Sequence, residues 1–326
     1  MTDDQAVFRT RIHDWRAALL RLEGAYSPAT LRAYGTDFAL FESWCMAVGR
    51  AVLPATPETL AAYLADPEAG GSTSTLRRRL SAIAKVHRLL RLPSPTDDEE
   101  VRTAYRPAVR RRGRRPRQAH GLTAELRERL LAACPATTLA GQRDRALIAV
   151  GYDTLCRRAE LVALRVADLE PNADGGLTVL VRRSKADPLG DGRTAFLSPR
   201  TAALLQVWLG AARISAGPLF RSVVSGRVGT EHLDPGSVGR ILKRAARRAG
   251  CDAAMVAALS GHSMRVGAAQ DMASVDFGIL ALMAAGGWKS AEVVARYVEG
   301  AQVARVGRTR EERLRLGGRF AGASEG

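Results

Sequence analysis

The sequence predicts a two-domain, mainly helical protein whose second domain carries a small antiparallel sheet. Three observations lead there. A chain of 326 residues that is 46% hydrophobic can bury more than one core. Apolar residues recur at helical spacing through most of its length. Two short stretches, LTVLVRR (177–183) and RTAFLS (193–198), read as strands, and the turn-like SKADPLGDG separates them.

The elements follow in order. SPATLRAYGTDFALFESWCMAVG opens with Ser27 as N-cap and Pro28 at the first helical position. Its apolar stripe is Leu31, Tyr34, Phe38, Phe41 and Cys45. TPETLAAYLAD repeats the signal with Thr56 and Pro57. GGSTSTLRRRLSAIAKVHRLLRLPSP starts in a Gly-Ser-Thr loop and ends at prolines; Leu76, Leu80, Ile83, His87 and Leu90 form its inner face. Its cations Arg77, Arg78, Lys85, Arg88 and Arg91 lie mostly elsewhere on the wheel, where they would meet solvent or phosphates. Residues 1–105 are thus expected as a helical domain. The segment RPAVRRRGRRPRQAHG follows, with Arg110, Arg111 and Arg112 at its centre, and 106–120 is expected as an extended, self-repelling linker. Residues 121–326 are expected as the second domain. LTAELRERLLAAC and QRDRALIAVGYDTLCRRAELVALRVADLE read as helices, the two strands come next, and helices resume at PRTAALLQVWLGAAR and run to the end.

Charge narrows the function. The net charge is +16, and 45 of the 49 basic residues are Arg. Residues 1–105 balance to zero, 106–117 carry +7, and 118–326 carry +9. Arginine bonds phosphate bidentately, so a nucleic-acid partner is expected. No run of eighteen apolar residues occurs, and MTDDQAVFRTRIHDW lacks an apolar signal core, so neither a membrane partner nor secretion is expected; the location expected is the cytoplasm. Cys45, Cys134, Cys156 and Cys251 are widely spaced and read as isolated thiols. No cluster of acids, His or Cys suits a catalytic metal, and no cofactor is expected.

Seven residues carry chemistry only as a set. Arg157 and Glu160 are three apart, so a carboxylate could orient a guanidinium, with Arg158 as a competitor for the phosphate role. Lys185 sits in the turn between the strands, placed as a general acid, with Arg182 just before it. His262 and Arg265 lie at a plausible helix start, which favours anions. Trp288 follows two glycines, and its indole can only donate; Lys289 is beside it. Tyr297 lies at helical spacing from Val293 and Val294. Singly, each is as well read as a core or surface residue.

Jointly, R-x-x-E, a hairpin Lys, H-x-x-R, a Trp and a Tyr nine residues beyond it resemble the tyrosine recombinases, the phage integrase family. The strings SGHSMRVGAAQDM and AGGWKSAEVVARY are similar to its Cre-like branch, as is SPATLRAYGTDFALFESWC. The resemblance implies a SAM-like core-binding domain followed by a catalytic domain of the DNA breaking-rejoining fold. It implies Tyr297 as nucleophile, Arg157, His262, Arg265 and Trp288 at the phosphate, Lys185 as general acid, and Glu160 in support. It implies no cofactor, double-stranded DNA with inverted repeats, and a homotetramer on DNA assembled from free monomers. The tail VARVGRTREERLRLGGRFAG would dock on a neighbouring subunit. A type IB topoisomerase and a non-catalytic DNA-binding regulator remain the alternatives.

Overall fold

The computed structural model describes residues 15–112, 118–182, 192–299 and 310–311. Contacts divide the chain into two compact units, Met1–Arg117 and Gln118–Gly326.

The first unit is helical: α1 (residues 15–20), α2 (Pro28–Ala47), α3 (Pro57–Ala65), α4 (Thr73–Leu89) and α5 (Glu99–Arg112). Three helices start on side-chain caps: the hydroxyls of Ser27, Thr56 and Ser72 accept the backbone N–H groups of Thr30, Thr59 and Thr75. Phe38, Phe41, Leu60, Tyr63, Leu76 and Ile83 fill the core. Within it Phe38, Phe41 and Tyr63 meet edge to face, at centroid separations of 5.9 and 5.2 Å.

The basic segment corrects one expectation. Residues 106–112 are not extended; they are the last two turns of α5. The helix survives its arginines because Ala108 is buried against the core and Glu99 and Glu100 face the N-terminal dipole. Arg111 Nη2 donates to the carbonyls of Leu64 and Ala65 (3.3 and 3.2 Å), and Arg112 Nη1 to that of Ala108 at 3.1 Å.

Polar groups pin α4. Buried Arg79 donates to the carbonyls of Ala69 and Gly70, and Arg78 forks onto buried Asp37 (2.6 and 3.1 Å). His87 is fully buried: its Nε2 accepts the Ala55 N–H at 3.0 Å, and Nδ1 lies 2.8 Å from the Ile83 carbonyl. The ring is therefore neutral, with Nδ1 as donor, and burial lowers its pKa. The unfolded chain accepts a proton near pH 6.5 that this site refuses. Stability from neutral His87 is complete above that pH and falls below it, by up to about 1.4 kcal/mol per pH unit. Thermal melts of the full chain from pH 7.5 to 5 should show this loss, and His87→Gln should flatten it.

The second unit surrounds a larger core. Its elements are α6 (Ala124–Ala133), α7 (Leu139–Asp153), α8 (Arg158–Ala163), β1 (Leu169–Pro171), β2 (Leu177–Val181), β3 (Arg193–Leu197), α9 (Pro199–Ala211), β4 (Arg221–Val224), β5 (Arg227–His232), α10 (Pro235–Arg248), α11 (Ala253–Ala258), α12 (Ser263–Ser274), α13 (Ile279–Gly286) and α14 (residues 291–299). The sheet is antiparallel in the order β1-β2-β3, with Val179 opposite Leu169 and Ala195. Leu177, Val179 and Val181 alternate inward onto Leu147, Leu205 and Trp208.

Two expectations fail here. The helix expected over 142–170 breaks after Asp153. Thr154 Oγ1 bonds back to the Val150 carbonyl at 2.7 Å, Leu155 takes φ +51°, and the chain restarts at α8. Nor do helices run unbroken after β3: β4 and β5 form a hairpin whose turn, Ser225-Gly226, has φ +48° and +74°.

Among the described residues no helix is long and apolar enough to cross a membrane. Cys45, Cys134 and Cys156 are buried free thiols, and Cys251 is half-buried.

Candidate active site

The break after α7 builds the site. With no helix continuing, Arg157 becomes the N-cap of α8 in extended conformation, and Glu160 is the third helical residue. Glu160 Oε2 accepts the Arg157 backbone N–H at 3.0 Å, and Oε1 accepts Arg157 Nη1 at 2.6 Å. The pair meets through this reciprocal cap, not as neighbours on one helical face as the spacing alone implied. Glu160 is buried at 4% side-chain exposure, whereas Arg157 keeps 25%. A fixed guanidinium thus reaches the surface. Arg158 points outward, and its side chain lies over Gly261.

The freed carbonyl of Leu155 accepts Arg265 Nη1 at 2.5 Å. Arg265 is the third residue of α12 and is 0% exposed. Its Nε and Nη2 have no hydrogen-bond partner, and neither has the buried indole Nε1 of Trp288. The guanidinium stacks on Trp288, Cζ lying 3.9 Å from the ring centroid, with the Tyr297 ring at 5.7 Å. The two rings are 5.0 Å apart at 60°. Burial, with Arg157 nearby, lowers the Arg265 pKa to about 10, so the group stays charged at neutral pH. An unpaired charge inside a protein costs several kcal/mol. Three buried donor nitrogens thus lie without a partner at this aromatic-walled cradle.

His262 caps α12 one turn before Arg265 and is exposed at its outer edge. Crowding by its neighbours, then the charges of Arg158, Arg265 and Arg157, lower its pKa. The imidazole is therefore neutral at pH 7 and able to accept a proton.

The glycines before Trp288 have physical reasons. A Cβ on Gly286 would lie 2.0 Å from the Trp288 ring. Gly287 ends α13 at φ +63°, ordinary for glycine and strained for other residues. Beyond this turn α14 packs Val294 and Val298 on Ala268, Ala269 and Leu282, which sets Tyr297 half-buried beside Trp288. Gln118 Nε2 anchors the Tyr297 carbonyl at 3.3 Å.

The structure thus gathers Arg265, Trp288 and Tyr297, with Arg157 and His262 in charge range of Arg265. Lys185 lies outside the described residues, as does the tail segment except 310–311. Of the residues expected at DNA, Arg77 and Arg110 are exposed, as is Lys289. Arg78 is held by Asp37 and Arg88 lies 3.6 Å from Asp97. Lys85 sits over Tyr26, and Arg182 is paired with buried Asp168. The sequence reading overlooked the basic face of α10, where Arg240, Lys243 and Arg247 lie opposite the buried Val238, Ile241 and Leu242. Its signal was available as helical spacing in SVGRILKRAARR. Among the described residues no group of three or more His, Cys, Asp or Glu could hold a metal ion.

Comparison with known proteins matches the chain to phage integrase models. The model of the phage integrase family matches residues 94–302, and that of the phage integrase N-terminal SAM-like domain matches 16–92. An integrase/recombinase XerD homolog of Selenomonas ruminantium is 32% identical over 289 residues, covering 86% of this chain and 84% of that protein. Recombinase Cre of Escherichia phage P1 is 27% identical over 296 residues, covering 86% of each. The fold is also that of XerH recombinase bound to palindromic difH substrate after cleavage (TM-score 0.63, 16% identity, 86% of this chain and 78% of that one). A lambda integrase tetramer bound to a Holliday junction gives a TM-score of 0.56 at 18% identity, covering 88% and 76%.

Proposed function

Because the chain belongs to the phage integrase family of tyrosine recombinases, we propose that it carries out site-specific recombination with Tyr297 as nucleophile and the Arg265–Trp288 cradle as phosphate site. The observation that carries this reading is the apposition of a tyrosine ring, a buried guanidinium and three unpartnered N–H donors within one chain.

The reaction would run as two transesterifications. The Tyr297 hydroxyl oxygen bonds to the scissile phosphorus, the bond to the 5′-oxygen breaks, and a 3′-phosphotyrosine and a free 5′-hydroxyl result. Neutral His262 takes the phenolic proton or bonds the phosphate, and Lys185 protonates the leaving 5′-oxygen. Arg157, held by Glu160, and Arg265 neutralise the charge that grows on the phosphoryl oxygens, while Trp288 Nε1 donates to one of them. The 5′-hydroxyl of another strand then attacks the phosphotyrosine and releases Tyr297. One phosphoester replaces another at each step, so neither ATP nor hydrolysis is needed.

The partner would be double-stranded DNA with inverted repeats flanking a spacer. Protomers free as monomers would form a homotetramer on two such sites and exchange strands through a Holliday junction. Arg77, Arg110, Lys289 and the exposed cations of α10 would meet phosphates, and the working location would be the cytoplasm, on DNA. Sequencing DNA recovered in covalent complex should return one inverted-repeat site. A plasmid with two copies should then yield excised circles or inversions. Relaxation without exchange would identify a topoisomerase, and binding without adduct a regulator.

A further inference from the structure

Arg193, which the proposed chemistry does not use, bridges two segments that enter the site. It opens β3 opposite Val181. Its Nη2 donates to the Thr154 carbonyl at 2.7 Å and lies 3.6 Å from Cys156 Sγ; its Nη1 donates to the Ala285 carbonyl at 2.9 Å. Its Cδ lies 2.9 Å from where a Cβ on Gly287 would stand. Both acceptors are main-chain carbonyls at the C-terminal ends of helices, α7 and α13, where the dipole favours a cation. Three residues beyond Thr154 stands Arg157, and three beyond Ala285 stands Trp288. One planar fork therefore ties the segment entering Arg157 to the turn presenting Trp288.

We propose that Arg193 is a positioning residue for DNA cleavage: it holds the Trp288 turn and the Tyr297 helix in register with the Arg157 and Arg265 guanidiniums. The proposal rests on Tyr297 being the nucleophile. A lysine can reach one carbonyl but cannot span both. Displacing a reacting group by about 1 Å costs on the order of 100-fold.

The test measures single-turnover adduct formation by the full chain on two nicked substrates. One has the natural bridging 5′-oxygen; the other has sulfur there, which leaves without a proton. Arg193→Ala should slow both by the same factor, about 10- to 100-fold, and Arg193→Lys should fall between it and wild type. DNA affinity should stay within about twofold. Wild-type rates in both variants would overturn the proposal. So would restoration of Arg193→Ala by the sulfur substrate, since the residue would then act at the leaving group through its hairpin. Loss explained wholly by a lowered melting temperature would overturn it too; should the alanine variant not fold, the lysine variant decides by the same ratio. If wild type forms no adduct at Tyr297, it is the underlying assignment that fails, and that is seen before any Arg193 variant is measured.

Discussion

Arg265→Ala should lower the rate of covalent DNA cleavage by roughly 100- to 1,000-fold, the cost of deleting one preorganised donor at a developing oxyanion, about 3–4 kcal/mol. Arg265→Lys should restore little of it. The reason is geometric. Nη1 is committed to the Leu155 carbonyl, and Cζ stacks on Trp288, so Nε and Nη2 are aimed by two fixed supports. An ammonium can take one support or meet the phosphate, but it has no fork to do both. Stability should respond differently from activity. In the free protein Arg265 is a buried charge that donates to the neutral Leu155 carbonyl, and removing it relieves desolvation while leaving a cavity under Trp288. The two terms oppose each other, so the melting temperature should move by only a few degrees. A large fall in melting temperature alongside the fall in rate would make Arg265 a core residue and take it out of the chemistry. Michaelis parameters sharpen the distinction, since a group acting on the transition state lowers kcat and kcat/KM together.

The sequence made visible the parts whose signals are local. Ser27-Pro28 and Thr56-Pro57 announce helix starts and do start helices, because cap and proline act within one turn. The inner face of α4 was readable down to His87, since burial follows the helical period. What stayed hidden depends on contacts far along the chain. Nothing in YDTLCRRAEL marks a break, for it holds neither glycine nor proline. The break is sustained by Arg193 and Arg265, 39 and 110 residues away, which bond the carbonyls of Thr154 and Leu155. The arginines of α4 look alike in RRRL, yet Arg77 is exposed, Arg78 grips Asp37, and Arg79 is buried on the carbonyls of Ala69 and Gly70. A helical wheel cannot tell them apart because Asp37 arrives from α2. The β4–β5 hairpin carries a local signal, Ser-Gly between β-branched runs, yet it falls in a stretch expected to be helical to its end.

Tyr297→Phe should abolish the covalent adduct while leaving binding and fold nearly intact. Phenylalanine keeps the ring 5.0 Å from Trp288, the helical contacts of α14, and the carbonyl that accepts Gln118. Only the hydroxyl is lost, so the melting temperature should shift by no more than a degree or two, and DNA affinity, which in the proposed reading would come from phosphate contacts elsewhere, should hold within about twofold. Tyr152 is the nearest rival in the same apolar cluster, but it is a poor one. Its hydroxyl donates to Asp271 Oδ2 at 2.5 Å, and burial together with that carboxylate raises its pKa, so its proton is held firmly. Arg127 covers its ring face at 4.4 Å. Gel electrophoresis of suicide-substrate reactions separates the cases: the Tyr297→Phe lane should show no protein-linked DNA at any time, and the Tyr152→Phe lane should show near wild-type adduct. Adduct persisting in the first and vanishing in the second would transfer the nucleophile to Tyr152 and leave the Arg265–Trp288 cradle without an attacking group beside it.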